Sequence, residues 1–362
     1  MFVSTNGGQA WTPYRTDFPT VAVRDIQIHP RERDLIIATH GRGVWIVDDI
    51  RPWEKLTLET AKAEAILFDV KPATIFAYRG YADATNGYAG PNSPFGAAIT
   101  YYLNPAAAEN ARVRISIYDA SGREVAVPFA SKSAGINRIY WNLREGAAPA
   151  PAPAGAGGRG GMAAGGGGGG QRGGFGGAAW VLPGEYKVVL DVNGKKLETK
   201  AVVRPDERQD ITIEDRDMAR TYLREAQDLA QKGRTLLTTL DTLGKQVDDL
   251  SNRVTGNAEV KLKEVKAKID GMKAVYALSP PGQGMYRKPI LVAFRGGTIA
   301  ELVQGIAGSF NAIGRPTQTS IDLMNSLKGY LEPLLAKMKE IQEKDIPELN
   351  KLLAASGVPY IR

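Results

Sequence analysis

The adjacent carboxylates Asp48 and Asp49 are candidates for acid and base chemistry, because glycoside hydrolysis uses two carboxyl groups with different pKa values. Such groups stand about 5–10 Å apart across the bond that is cleaved. The two residues are neighbours on a presumed strand, where successive side chains point to opposite faces, so they cannot form the pair. We expect charges at a strand end that meet solvent or Arg51, and no catalytic residue is predicted in this chain.

The stretch from His40 to Gly43 reads His-Gly-Arg-Gly and holds two residues that could contact a ligand. Arg42 could clamp the carboxylate of an acidic sugar, since a guanidinium donates two parallel hydrogen bonds. The alternative is a tight turn whose arginine ties down a neighbouring strand. His40 could act as a general acid or base, but a single histidine in a turn is more often held by structural hydrogen bonds.

Composition excludes several kinds of site. The chain of 362 residues has no cysteine and two histidines, so disulfides, thiolate sites and histidine-rich metal sites are excluded, and no metal or cofactor is predicted. A net charge of +7 is spread along the chain and is weak evidence for an acidic partner. The sequence contains neither an apolar run long enough for a transmembrane segment nor a signal peptide.

A glycine-rich segment, residues 146–179, interrupts the middle of the chain and is predicted to be a disordered loop. It resembles the arginine-glycine runs of RNA-binding tails, but only Arg159 and Arg172 are present with one phenylalanine. Two cations neutralise little phosphate, so no nucleic-acid partner is predicted, although an RNA-associated protein is a third functional class. The sequence also lacks the phosphate-binding motif Gly-x-x-x-x-Gly-Lys-Ser/Thr.

Two kinds of periodicity indicate the elements that position these residues. Short alternating runs with turn signals predict closely spaced strands in residues 1–52 and again in 99–203, separated by a connecting segment. The dipeptide Asn193-Gly194 predicts a tight hairpin, and the stretch from Asp119 to Gly122 predicts another turn. The second group of strands, about 100 residues long, is typical of a β-sandwich.

After Pro205 the apolar residues repeat every three or four positions, which predicts a helix of about 40 residues. Its seam contains Met218, Tyr222, Ala226, Leu229, Gly233, Leu236, Leu240, Leu243, Val247, Leu250 and Val254. A break at residues 255–257 and a second seam predict an antiparallel helical hairpin, with a further helical pair after residue 298. Asp345 and Pro347 are expected to open the last helix. An internal bundle is favoured over an open coiled coil, and a homodimer through the hairpin is the alternative.

The beginning of the chain carries a resemblance to a known family. Ser4, Asn6, Gly8 and Trp11 have the spacing Ser/Thr-x-Asp/Asn-x-Gly-x-x-Trp, which resembles the Asp-box or neuraminidase repeat. In such a turn the asparagine bonds backbone amides, glycine supplies positive φ and the tryptophan packs under the hairpin. Residues 38–50, together with the sandwich and the helical end, resemble bacterial Asp-box propellers of the sortilin N-terminal-domain or glycosyl-hydrolase-like type.

The resemblance implies a multidomain β plus α fold: partial β-propeller blades, an immunoglobulin- or fibronectin-like sandwich and a helical hairpin bundle. The expected divisions are 1–58 for the propeller remnant, 59–98 for the connection, 99–205 for the sandwich and 206–362 for the bundle. Because a propeller needs several four-stranded blades, we expect the C-terminal portion of a longer exported protein.

The implied role is non-catalytic binding or scaffolding outside the cytoplasm, in the periplasm or after secretion, with protein or glycan ligands held through the propeller. The alternative is a fragment of a sialidase-like glycoside hydrolase whose catalytic residues lie in other blades.

Overall fold

A computed structural model describes residues 2–4, 6–13, 18–76, 94–108, 111–147, 177–277, 298–358 and 360–361. It shows a mixed α and β protein with curled sheets. The chain divides into two compact units, one of residues 1–169 with 183–206 and one of residues 170–182 with 207–362. Most of the predicted glycine-rich loop lies outside the described residues.

The first unit contains the strands. Two short strands, β1 (Phe2–Val3) and β2 (Thr12–Pro13), form a hairpin. Three antiparallel strands form a separate sheet in the order β3-β4-β5, here called the meander sheet: β3 (Val23–Ile28), β4 (Leu35–Thr39) and β5 (Val44–Val47). A short helix, α1 (Arg51–Lys55), and a 3₁₀ turn (Thr60–Lys62) follow it.

Two further sheets complete this unit. Their elements are β6 (Ala65–Leu67), β7 (Ala73–Ile75), β8 (Ala97–Leu103), the short helix α2 (Pro105–Ala108), β9 (Val113–Tyr118), β10 (Glu124–Val127), β11 (Gly135–Trp141), β12 (Gly146–Ala147), β13 (Gly184–Val192) and β14 (Lys195–Pro205). One sheet has the order β11-β8-β6 and the other the order β12-β10-β9-β13-β14-β7. The segment expected to be a connection, 59–98, therefore contributes β6 and β7 to these sheets, while residues 77–93 lie outside the described part.

Turn chemistry sets the register of the longest hairpin. Asn193 and Gly194 both have positive φ, 56° and 92°, and Val192 pairs with Lys195 across the turn. Mirror-image turns of this kind match the twist of the flanking strands, which is why the Asn-Gly dipeptide predicts them. The predicted hairpin is therefore present between β13 and β14.

The second unit is helical. Its elements are α3 (Ile213–Leu250), α4 (Asn257–Ala277), α5 (Ile299–Gly305), a 3₁₀ turn (Ile306–Phe310), α6 (Gln318–Glu340), a π-helical turn (Ile341–Asp345) and α7 (Ile346–Ala355). Thr212, Thr298 and Thr317 cap the starts of α3, α5 and α6 with their side chains. The α3 helix contacts α4, α5 and α6, and most of the predicted seam is buried among them.

The end of the chain differs from its predicted arrangement. A last helix begins where it was predicted, with Asp345 at its N-cap position and Pro347 in its first turn, but it continues directly from α6 through the π-helical turn. The amide of Ile346 bonds the carbonyl of Ile341, five residues earlier, which defines the wider turn. Asp345 has no capping hydrogen bond and is buried instead. The helices α6 and α7 therefore form one continuous helix with a π-helical turn between them.

Candidate functional site

The turn between β1 and β2 is held by its own side chains. Ser4 Oγ accepts a hydrogen bond from the amide of Gly8 (2.8 Å) and donates one to Asn6 Oδ1 (2.9 Å). Asn6 Oδ1 also accepts from the amide of Ala10 (2.9 Å). Gly7 and Gly8 have φ values of 70° and 89°, which residues with a Cβ rarely adopt. The turn is therefore closed by hydrogen bonds from its own side chains.

Trp11 lies over this turn and remains accessible. Its Nε1 donates to the carbonyl of Gly8 (3.0 Å), which fixes the ring, yet 61% of the residue is exposed. Trp11, Phe2, Val23 and Ile26 line an open apolar groove where the hairpin meets β3. Trp11 therefore contacts the turn, but most of its surface is exposed and is not packed under the hairpin.

The turn from β4 to β5 contains both predicted ligand contacts. Thr39 donates to the carbonyl of Gly43 through its amide (3.1 Å) and its hydroxyl (2.7 Å), which closes a tight loop. The carbonyl of Arg42 accepts from Trp45 Nε1 (3.1 Å), whereas the Arg42 guanidinium has no ion-pair partner among the described residues. The backbone of Arg42 therefore holds the turn, and its cationic side chain is exposed.

His40 is joined by an arginine that the sequence did not single out. The amide of His40 donates to the carbonyl of Ala22 (2.9 Å), and His40 Nδ1 lies 3.3 Å from Arg24 Nη2. Pairing of β3 with β4 brings the two side chains together, although they are 16 positions apart in the chain. Arg24 could not be identified from spacing alone because its approach depends on the strand register.

Asp48 and Asp49 follow β5 and are not part of the strand. Asp49 has φ of 50°, and its amide donates to Asp34 Oδ1 (2.9 Å). Arg51 donates to both Asp49 carboxylate oxygens, at 2.6 and 2.8 Å. Burial alone would raise the pKa of Asp49, but the hydrogen bonds and charge of Arg51 outweigh it and lower that pKa. The carboxylate is therefore a structural anion and is unsuited to proton transfer near neutral pH.

Arg138 of β11 clamps the backbone at this junction. Its Nη1 donates to the carbonyl of Asp48 (2.6 Å), and its Nη2 donates to the carbonyl of Asp49 (2.7 Å). Its Nε donates to Thr100 Oγ1 on β8 (3.1 Å). One guanidinium thus ties the exit of the meander sheet to the β11-β8-β6 sheet, a role that no local sequence signal reveals.

The meander sheet is apolar on both faces. Ile26 and Ile28 pair with Ile37 and Leu35 on one face, and they are 48% and 43% exposed. Val44 and Ile46 lie on the opposite face and are 63% and 59% exposed. Residues 1–50 contain six of the thirteen exposed large hydrophobic residues described in the chain. Exposed apolar residues are therefore concentrated in the first 50 residues of the part of the chain that the structure describes.

Asp345 is deeply buried in the helical unit, with 1% of the residue exposed. It accepts hydrogen bonds from Lys261 Nζ (2.9 Å) and Lys268 Nζ (2.8 Å), while Lys261 also meets Glu348 (2.9 Å). Burial would raise the pKa of Asp345, but the hydrogen bonds from Lys268 and Lys261 outweigh it and lower that pKa. This arrangement joins α4 to the π-helical turn and does not provide a general acid.

Comparisons with protein-family models, with curated proteins and with solved structures find no match. Among the described residues, histidine and acidic side chains form no group of three that could hold a metal ion. No helix in the described ranges has the length and apolar character needed to span a membrane.

Proposed function

We propose that this chain is a non-catalytic binding or scaffolding part of an exported Asp-box propeller protein. Its place would be outside the cytoplasm, and its ligands would be proteins or glycans. The supporting residues are the self-bonded turn of Ser4, Asn6, Gly8 and Trp11, and the meander sheet that follows it.

The observation that carries the proposal is the apolar character of both faces of the meander sheet. A solvated antiparallel sheet alternates between one apolar face and one polar face. A propeller blade packs against a neighbour on each side, so both of its faces carry apolar residues. The exposed Ile26 and Ile28 on one face, and Val44 and Ile46 on the other, fit a blade of this kind.

We also propose a β-sandwich for the two sheets that follow the meander sheet and a helical bundle for the second unit. The ring of Trp141 on β11 packs edge-on against Tyr186 on β13, with centroids 5.2 Å apart, so side chains of the β11-β8-β6 sheet and of the six-stranded sheet meet. This contact supports an immunoglobulin- or fibronectin-like sandwich. The buried seam of α3 between α4, α5 and α6 supports a helical hairpin bundle. A homodimer through that hairpin stays a prediction.

The first test separates binding from hydrolysis. The chain is incubated with aryl glycosides, including sialosides, and release of the aryl group is measured. We expect no turnover, because Asp49 is held by Arg51 and Asp48 follows the strand on the same short loop. Turnover by the purified chain would reject the non-catalytic role and favour the glycoside hydrolase.

The second test concerns the ligand. Immobilised acidic and neutral glycans are screened, and the affinity of a retained acidic glycan is compared between the wild type and Arg42→Ala. We expect a loss of about tenfold, the value of one charge-assisted hydrogen bond. Arg31→Ala is the matched control, because Arg31 is an exposed arginine that already pairs with Glu32. Equal affinities of the two variants would exclude Arg42 as a ligand contact.

A further inference from the structure

The two edges of the meander sheet are unlike each other. On β3, a bulge between Val23 and Asp25 interrupts the ladder. The carboxylate of Asp25 accepts the amide hydrogen of Ile26 (2.8 Å) and also meets Gln27 Nε2. Bulges and charged side chains are the means by which proteins prevent another strand from pairing with an edge. The β3 edge is therefore protected.

The β5 edge has none of these features. Its residues are Val-Trp-Ile-Val, with no charge, no proline and no register shift against β4. Within the described residues β5 pairs only with β4. An uncharged edge of β-branched and aromatic residues leaves unpaired N–H and C=O groups to which another strand can bond.

The register of the turn identifies which peptide groups face outward. The amide of Thr39 bonds the carbonyl of Gly43, and peptide groups along an antiparallel strand alternate between its two sides. The groups of Trp45 and Val47 therefore face β4, while those of Val44 and Ile46 point away from the sheet. These two residues also have the most exposed side chains of the strand.

The ends of β5 are held in place before any partner binds. Trp45 Nε1 is bonded to the carbonyl of Arg42 at the beginning, and Arg138 holds the carbonyl of Asp48 just after the end. An edge that is already ordered loses little conformational entropy when a strand is added.

We propose that β5 is a strand-acceptor site that binds an extended peptide from a separate polypeptide, with uncharged aliphatic side chains at alternate positions. Val44 and Ile46 supply the main-chain hydrogen bonds, and their side chains contact every second residue of the peptide. A second copy fits less well, because a ladder of four residues buries far less than the roughly 1,600 Å² of a stable interface. This inference rests on the sheet edge and does not require the propeller relationship.

The test uses a blocked hexapeptide of alternating valine and threonine as the probe, with a fully N-methylated hexapeptide of the same sequence as its control. Amide hydrogen exchange is followed in the intact chain with each peptide. We expect the amides of Val44 and Ile46 to exchange at least tenfold more slowly with the unmodified peptide and to be unaffected by the N-methylated one.

A pair of variants checks the location. Ile46→Pro removes a backbone N–H that points away from the sheet and leaves the hydrogen bonds to β4 in place. This variant should therefore abolish the peptide's protection of the Val44 amide from hydrogen exchange. Ile28→Pro is the matched change on the protected β3 edge and should leave peptide binding intact. Exchange of the β4 amides reports whether each variant keeps its fold, and the comparison of the two peptides does not depend on either variant.

Several results would overturn the proposal. Unchanged exchange at millimolar peptide would show that the edge does not accept a strand. Equal protection of β3 amides would indicate non-specific association. Protection that appears without peptide and increases with protein concentration would assign the edge to a second copy of this chain.

Discussion

Gly233 shows how a single residue sets the distance between helices in the second unit. A Cβ at this position would lie 2.5 Å from Tyr276 Oη on α4 and 2.5 Å from Val303 Cγ1 on α5. The glycine therefore occupies a seam position because two neighbouring helices approach its backbone closely.

The first prediction follows from this contact. Gly233→Ala should lower the free energy of unfolding by about 1–3 kcal/mol, since overpacking outweighs the better helix propensity of alanine. Urea denaturation measures the change. Gly271→Ala on α4 is the control, because no atom lies within 4 Å of its added Cβ. We expect it to stabilise by about 0.5–1 kcal/mol. A destabilising Gly271→Ala, or a stabilising Gly233→Ala, would contradict this explanation.

The second prediction concerns Asp345. Asp345→Asn should cost about 2–4 kcal/mol at pH 7, because it leaves two lysines without their central anion. We place the loss below that of a fully buried pair because the Lys268 side chain is 38% exposed. Glu343→Gln, on the same turn but with a side chain that is 68% exposed, should change the unfolding free energy little. Urea midpoints of the three proteins provide the comparison.

The same substitution predicts a dependence on pH. The pKa of Asp345 is lower in the folded protein than its ordinary value. Its stabilising effect is thus complete above the unfolded-state pKa of about 3.9 and is lost as the pH falls through the folded-state pKa. The stability difference between wild type and Asp345→Asn should be constant from pH 7 to 5 and shrink below pH 4. A stability difference that grows as the pH falls would show that folding does not lower the pKa of Asp345.

At the scale of elements, the π-helical turn Ile341–Asp345 sets which face of the following helix α7 is buried in the core. The extra residue of a π turn shifts the helical faces that follow it, and it keeps Asp345, Leu349 and Leu353 buried after Ile341. The turn also precedes Pro347, which cannot donate the hydrogen bond of a regular α-helix.

The third prediction is that deleting Glu343 converts this turn into regular α-helix while leaving the buried faces on both sides in place. Pro347 would then meet the carbonyl four residues before it, at a cost of about 3 kcal/mol. Adding Pro347→Ala should recover most of the lost stability, as measured by urea denaturation. Deletion of Lys337, within α6, is the control; it rotates every later residue by about 100°. Rescue of that deletion by Pro347→Ala would disprove the role given to the π turn.

At the scale of the whole molecule, each unit has its own buried residues. Unit 2 buries the seams of its helices, and unit 1 buries Ile37, Ile99, Leu103 and Leu190 on its strands. Separate cores favour separate unfolding transitions.

The fourth prediction uses one substitution in each unit. Arg138→Ala removes three hydrogen bonds from a charged donor, so we expect a loss of about 2–4 kcal/mol in unit 1. Calorimetry should show two transitions, with Arg138→Ala lowering one and Asp345→Asn lowering the other. Arg138→Lys should behave like alanine, since lysine lacks the planar fork. A single transition lowered equally by both substitutions would mean that the units unfold together.

The sequence alone predicted features that depend on neighbouring residues. The Asn193-Gly194 turn follows from backbone torsions that few other residues tolerate, and the long helix follows from a repeated apolar spacing. The hydrogen bonds among Ser4, Asn6 and Gly8 also lie within one short turn. Such features are encoded locally because their energies come from residues close in the chain.

Only the tertiary structure decided which distant residues meet. Arg138 reaches the carbonyl of Asp48 across 90 positions, and Lys261 reaches Asp345 across 84. The sequence placed Asp345 at the start of a helix because proline and aspartate are common there, but burial next to two lysines determined its role. Long-range partners depend on register and on packing between elements. Neither can be predicted from the residue types and their spacing in one sequence.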